Sequence, residues 1–306
     1  MREELIEEVA KSLKREGFKV KQCIEEDICF DIVAKRDRRA ILIKAVDNVD
    51  SVSRIQANDM KKVSYALNTA PIIVGLRSRR GELIEGIVYE RYGVRALRPE
   101  TFDKAIRGKE LPIAIVKRGG ILVKINGHKL REIREKEGLS LGEIASRVGV
   151  TRKAIYEYER GTMYASLEVA IRLEEELSQR LIEPIDVFGW ECKEIPRDEE
   201  EEDVLVLRTK RILEEYGLRT VSIKRAPFNI AASDNRKERK IVLQARREID
   251  PRIVKRIRLM IEVAEIVDAK SLIVTNRYRQ NYDVEGVPVV TFNEFSSKVD
   301  ELIEST

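Results

Sequence analysis

Between Leu139 and Gly161 the chain sets caps, apolar positions and a glycine in an order that suits two short helices joined by a tight turn. Ser140 is placed to cap a helix, and Glu143, three residues on, is placed to reach back to it, a reciprocal pairing that satisfies two orphan amides. Ile144, Ala145 and Val148 share one face of that helix. Gly149 falls where the chain has to turn, because glycine takes a positive φ without a Cβ penalty. Thr151 then caps a second helix in which Ile155 and Tyr158 point inward, leaving Arg152, Lys153, Tyr156 and Glu157 free. The pattern is a helix-turn-helix, and that free face is the one such a motif turns to a major groove. The expected DNA-contacting set is therefore Arg152, Lys153, Tyr156 and Glu157, with Thr151, Ser140 and Arg160 at the helix ends.

From about Lys124 to Arg180 the chain resembles the Cro/lambda-repressor class of helix-turn-helix domains. Ala145, Gly149, Ile155 and the ending Tyr158-Glu159-Arg160-Gly161 carry the likeness. So does Arg134, four residues before Gly138, where that class places an arginine paired with the glutamate matching Glu159. The likeness departs at Leu141, where many members carry a glutamine that helps anchor the first helix on a phosphate.

A chain of 306 residues has room for two or three domains. Charged residues make up 37% of it, against a usual value of about 25%, which fits ion-pair-rich proteins from hot environments. The net charge of +4 is too small for indiscriminate nucleic-acid binding, so any such contact has to be local. Cys23, Cys29, Cys192 and the single His128 stand at no ligand-like spacing, so no metal site, cofactor or disulfide framework is expected. The N-terminus does not read as a signal peptide, and no run of about eighteen apolar residues suggests a membrane span. The expectation is a soluble cytoplasmic protein with no membrane partner.

Along the chain, Leu5, Ile6, Val9 and Leu13 predict an opening helix ended by Gly17. Strands follow near Lys19 to Glu25, Cys29 to Lys35 and Ala40 to Val46. Val52 to Leu67 reads as a second helix, Pro71 to Gly75 and Val94 to Leu97 as further strands, and Pro99 to Ile106 as a helix. The last hundred residues repeat this plan. Tyr216-Gly217-Leu218 answers Glu16-Gly17-Phe18, Phe228-Asn229-Ile230 answers Phe30-Asp31-Ile32, and Ile241 to Ala245 answers Ile41 to Ala45. The expected divisions are 1–115, 116–190, an acidic linker at 191–203, and 204–306, with a hairpin at Lys117 to Val123 leading into the helical part.

The αβββαβ order, with Asp31 on the second strand and Lys44 on the third, resembles the PD-(D/E)xK restriction-endonuclease-like fold. Such nucleases hold a divalent metal between two acids and use the lysine to assist the attacking water. Here the position two before Lys44 is Leu42, and the second copy reads Asn229, Val242 and Gln244. Two degenerate restriction-endonuclease-like α/β domains flanking a central lambda-repressor-like helix-turn-helix domain are therefore expected, with no catalytic or metal-binding residue. The whole arrangement is similar to archaeal helix-turn-helix transcriptional regulators. A sequence-specific regulator bound to double-stranded DNA is expected, its outer domains dimerising it or contacting flanking DNA, and a homodimer because one helix-turn-helix reads only a few base pairs. The alternatives are a metal-dependent DNA endonuclease guided by the central domain, or an interaction scaffold with an idle helix-turn-helix. Basic clusters at Arg36 to Arg39, Arg77 to Arg80 and Arg236 to Lys240 could follow phosphates, and Tyr278 and Tyr282, beside Arg277 and Arg279, could stack bases.

Overall fold

The computed structural model describes residues 2–25, 27–117, 120–190, 195–196, 203–236, 238–248, 251–276 and 286–304. The acidic segment 191–203 falls almost wholly outside these, as do Arg277, Tyr278, Arg279 and Tyr282.

In chain order the first elements are α1 (Arg2–Arg15), β1 (Lys19–Gln22), β2 (Ile32–Arg36), β3 (Arg39–Asn48), α2 (Arg54–Leu67) and β4 (Ala70–Ser78). Then come β5 (Gly81–Glu82), β6 (Ile87–Arg91), β7 (Val94–Leu97), α3 (Pro99–Ile106), β8 (Ala114–Lys117) and β9 (Gly120–Ile125). The central helices are α4 (Gly127–Lys136), α5 (Leu141–Val148) and α6 (Arg152–Glu159), followed by β10 (Ala165–Ser166), α7 (Leu167–Leu177) and β11 (Ile182–Glu183). The last part holds α8 (Val204–Glu215), β12 (Arg219–Ser222), β13 (Ile230–Ser233) and β14 (Lys240–Arg246). It ends with α9 (Pro251–Val267), β15 (Lys270–Thr275), β16 (Val289–Thr291) and α10 (Phe292–Glu304).

The chain forms two compact units, one of residues 1–73 with 188–306 and the other of residues 74–187. These units cut the chain at different places from the sequence segments, because the two repeats pack on each other. In the first unit β1, β2 and β3 are antiparallel neighbours, and β12, β13 and β14 repeat that arrangement before parallel β15 and β16. Each copy lends its second helix to the other: α2 lies on β12 and β13, and α9 lies on β1 and β2. The Arg219 guanidinium donates to the Tyr65 hydroxyl at 3.0 Å, while Lys21 pairs with Glu262 and Lys35 with Asp268. At the centre, Cys29 N–H donates to Arg225 O at 2.7 Å, and Arg225 N–H donates to the Asp59 carboxylate at 3.1 Å. The relation is visible even in the helix ends, since Asn68 and Asp268 both take left-handed φ, 54° and 52°. Asparagine and aspartate tolerate that region better than most residues.

In the second unit, β6 pairs antiparallel with β7 and parallel with β8, and β9 pairs with β8, β10 and β11. The expected helix Pro99 to Ile106 lies at those bounds. Strands β5, β6, β10 and β11 carry no apolar run or alternation strong enough to be read beforehand. In the first unit, β2 begins at Ile32 rather than Cys29, because the chain before it loops so that Asp31 can turn its carboxylate into the core. Among the described residues no helix is long and apolar enough to cross a membrane.

Phe30 and Phe228 are both fully buried at matching positions of the two copies. Phe30→Ala and Phe228→Ala should each cost about 3–5 kcal/mol. Because the copies share packed faces, both should lower the same calorimetric transition. Two separately shifted transitions would contradict the mutual packing.

Candidate nucleic-acid interface

Ser140 and Thr151 are the N-caps of α5 and α6. The Ser140 hydroxyl accepts from Glu143 N–H at 3.2 Å, and the Glu143 carboxylate accepts from Ser140 N–H at 2.7 Å, completing the capping box. That backbone bond holds the Glu143 carboxyl below its ordinary pKa. Thr151 accepts from Ala154 N–H at 3.1 Å, and Gly149 ends α5 at φ 72°. The Thr151 hydroxyl still has its own proton to donate to a phosphate, whereas the Ser140 hydroxyl also bonds the Glu143 carboxylate.

The helix α6 is held from behind. Ile155 and Tyr158 enter a core with Val123, Ile125, Leu130, Ile144 and Leu173. Arg134 forks onto the Glu159 carboxylate, Nε to Oε1 at 2.6 Å and Nη2 to Oε2 at 3.1 Å, and its Nη1 donates to Leu139 O at 3.2 Å. The two side chains are only 13% and 7% exposed. This hydrogen bonding raises the Arg134 pKa above its ordinary value. Gly127, at the start of α4, sits directly on the end of α6: a Cβ there would lie 2.3 Å from Glu159 O and 2.4 Å from Tyr158 O. Only glycine allows that approach. The sequence places a domain start near this glycine but does not expose the contact.

On the outer face Arg152, Lys153 and Thr151 are exposed, and Tyr156 is 45% exposed. Arg160 is exposed and lies over the Tyr156 ring, 5.5 Å from its centroid. Glu157 is half-buried, and its carboxylate accepts the Thr162 hydroxyl, so it is bound back to the loop after α6. Thus Arg152, Lys153, Tyr156 and Arg160 form one exposed basic and aromatic surface, while Glu157 stands at its edge.

The other basic clusters are partly engaged within the fold. Arg36 donates to Glu16 O and lies over the Phe18 ring, Arg39 lies over the Phe188 ring, and Arg239 pairs with Asp234.

The nuclease-like positions form a buried polar cluster. Asp31 is 0% exposed; its Oδ1 accepts from Arg2 at 2.6 Å and from Lys44 at 3.0 Å, and its Oδ2 accepts from Ala45 N–H at 2.8 Å. Lys44 also donates to Ile28 O at 3.0 Å, and Leu42 is core. One carboxylate facing two cations does not fit a divalent metal, which needs anionic oxygen ligands in excess. In the second copy Asn229 Oδ1 accepts from Ala245 N–H at 2.8 Å, and Gln244 Nε2 donates to Pro227 O at 2.5 Å. The matching alanine N–H is bonded there by a neutral amide, and Gln244 reaches a neighbouring carbonyl of the same loop. Among the described residues no group of three or more His, Cys, Asp or Glu could hold a metal ion.

A family profile described as a PD-(D/E)XK superfamily domain matches residues 2–112, and one described as a helix-turn-helix matches residues 130–181. Over 305 residues the chain is 35% identical to a Pyrococcus furiosus protein, covering 99% of this chain and 96% of that one. A Thermococcus kodakarensis relative is 38% identical over 309 residues, covering 99% and 95%. A third, from Methanocaldococcus jannaschii, is 34% identical over 313 residues, again covering 99% and 95%. All three are named as HTH-type transcriptional regulatory proteins. This chain belongs to that archaeal family. No solved structure matches it. The fold expected from the sequence, nuclease-like α/β parts with a helix-turn-helix between them, is the fold of the family member described here.

Removing one member of the Arg134–Glu159 fork leaves the other charge buried without its partner, at a cost of about 3–5 kcal/mol, whereas removing both costs less. A double-mutant cycle with Arg134→Met and Glu159→Leu should therefore give a coupling of at least about 1 kcal/mol in chemical denaturation. Additive single losses would count against the fork as the anchor of α6.

Proposed function

We propose that this family member is a sequence-specific regulator that binds double-stranded DNA through α6, does not cut it, and acts as a homodimer in the cytoplasm. The observation that carries this reading is the division of α6 into an anchored back and a free basic front. Ile155, Tyr158 and Glu159 tie the helix to its domain, while Arg152, Lys153 and Tyr156 stand in the turns that the docking geometry presents to base edges. Arginine suits the two acceptors of guanine, and each good bidentate contact discriminates by about 1–3 kcal/mol. Glu157 is drawn toward the loop after α6 by Thr162 at Oε2, with Oε1 still able to accept from a cytosine amine.

A homodimer follows from the small footprint of one helix-turn-helix, since two copies about 34 Å apart on a palindrome multiply affinity and specificity. Its surface has to be other than the faces that α2 and α9 already cover within the chain. Duplex-bound protein should sediment with two chains per site, and one chain per site would remove the dimer from the reading.

Two further experiments test the core of the proposal. Selection from random duplexes should yield a consensus with wild-type protein, and Arg152→Ala should relax it at one position in each half-site. An unchanged consensus with both Arg152→Ala and Lys153→Ala would remove α6 as the reader. Supercoiled plasmid with Mg²⁺ or Mn²⁺ should stay intact, because Arg2 and Lys44 occupy the carboxylate that a metal would need. Cleavage abolished by Asp31→Ala would instead establish the endonuclease reading.

A further inference from the structure

The β8–β9 hairpin is built into the helix-turn-helix domain, beside the chain that leaves the recognition helix. Its ladder runs from Ala114↔Val123 to Lys117↔Gly120. On its other edge β9 pairs with β10 through Val123↔Ala165 and Leu122↔Ser166, and with β11 through Ile125↔Ile182. Val123 and Ile125 lie in the same core as Ile144, Ile155 and Tyr158. Backbone ladders and core packing thus fix the hairpin to the helices.

Arg160 caps α6 and β10 begins at Ala165, so only residues 161–164 connect the recognition helix to the strand that pairs with the hairpin. Tyr164 closes this connection, and the Lys117 ammonium lies over its ring, 4.5 Å from the centroid. A cation at the end of β8 is therefore held against the loop that emerges from α6.

The pattern of ion pairing sets this cation apart from several others in the domain. Lys124, Arg131, Arg134, Arg147 and Arg172 each pair with a glutamate. Among the described residues no carboxylate lies within 4.0 Å of Arg152, Lys153, Arg160 or Lys117. Three of these cations belong to α6 and its cap and the fourth is on the hairpin; Lys129, Lys136 and Arg180 elsewhere in the domain are likewise without a carboxylate among the described residues. In sequence, Lys117 is followed by Arg118-Gly119-Gly120, which adds a second positive charge next to it. Positive charge that no carboxylate neutralises is what releases counterions from a duplex.

We propose that the β8–β9 hairpin is a second DNA-contacting element, in which Lys117, positioned by Tyr164, binds a backbone phosphate flanking the bases that α6 reads. This rests on the reading of α6 as the DNA-recognition helix. Lysine acts here as a point charge on a phosphate and carries no base preference, so the hairpin adds affinity and register while α6 supplies specificity.

The test uses full-length protein and the duplex that wild type selects, alongside a scrambled duplex of equal length. Lys117→Ala should weaken binding to both by a similar factor of about 5–10 at 0.1 M salt and lower the salt-dependence slope by about one. The selected consensus should stay the same, and Lys117→Arg should restore affinity. Ethylation interference should lose a phosphate at the edge of the wild-type pattern. The thermal transition of Lys117→Ala, set beside wild type, separates a lost contact from a loosened domain. Unchanged affinity, slope and interference pattern in Lys117→Ala, with wild type still selecting a consensus, would overturn the hairpin proposal alone. An altered consensus, or a loss of affinity with an unchanged slope, would overturn it too, since either means that Lys117 acts through the fold of α6. Failure of wild type to select any duplex would instead overturn the reading on which it rests.

Discussion

The helix α6 is eight residues long, and a helix of that length has little stability of its own in water. It is the Arg134–Glu159 fork, with Gly127 seated on the last carbonyls of α6, that fixes it to the domain. The fork satisfies both carboxylate oxygens and also reaches Leu139 O, so one guanidinium joins α4, the loop before α5 and the end of α6. Arginine suits this task because its planar donors meet two oxygens at once, whereas lysine would offer a single flexible charge. With its back fixed in this way, the helix leaves Arg152 and Lys153 exposed and Tyr156 under the Arg160 guanidinium.

The paired α/β copies reach a shared backbone N–H with different charges. Asp31 and Asn229 both accept from the alanine N–H that follows the Lys44 or Gln244 position, and Lys44 and Gln244 both donate to a loop carbonyl. A buried carboxylate needs cationic partners, and Arg2 and Lys44 provide them. In the second copy the amide side chains need none, since each carries its own donors and acceptor. The two solutions share the bond to the alanine N–H and differ in charge and in the carbonyls they reach.

Much of the local structure was legible from residue types alone. The capping box at Ser140 and Glu143, the left-handed Gly149 and the inward Ile155 and Tyr158 depend on contacts within a few residues, which sequence spacing encodes directly. The repeat was legible for the same reason, as the buried Phe30 and Phe228 and the strands after them recur in register. The two-residue strands β10 and β11 were not, because nothing in two residues distinguishes a ladder partner from a loop. Glu157 read as a free side chain by helical spacing, but the return of the loop at Thr162 captures it.

The sequence by itself determined the elements: a helix-turn-helix with its caps and basic face, and two α/β copies, one with a lone acid and the other with amides. Only the tertiary structure decided how those copies share their helices, that Asp31 is taken by Arg2 and Lys44, and that Lys117 rests against the loop leaving α6. The physical reason is range. Caps, turns and amphipathic faces arise from neighbours three or four positions apart, while the Asp31–Lys44 contact and the pairs between the copies join residues from 13 to about 240 positions apart, whose meeting depends on the fold of the whole chain.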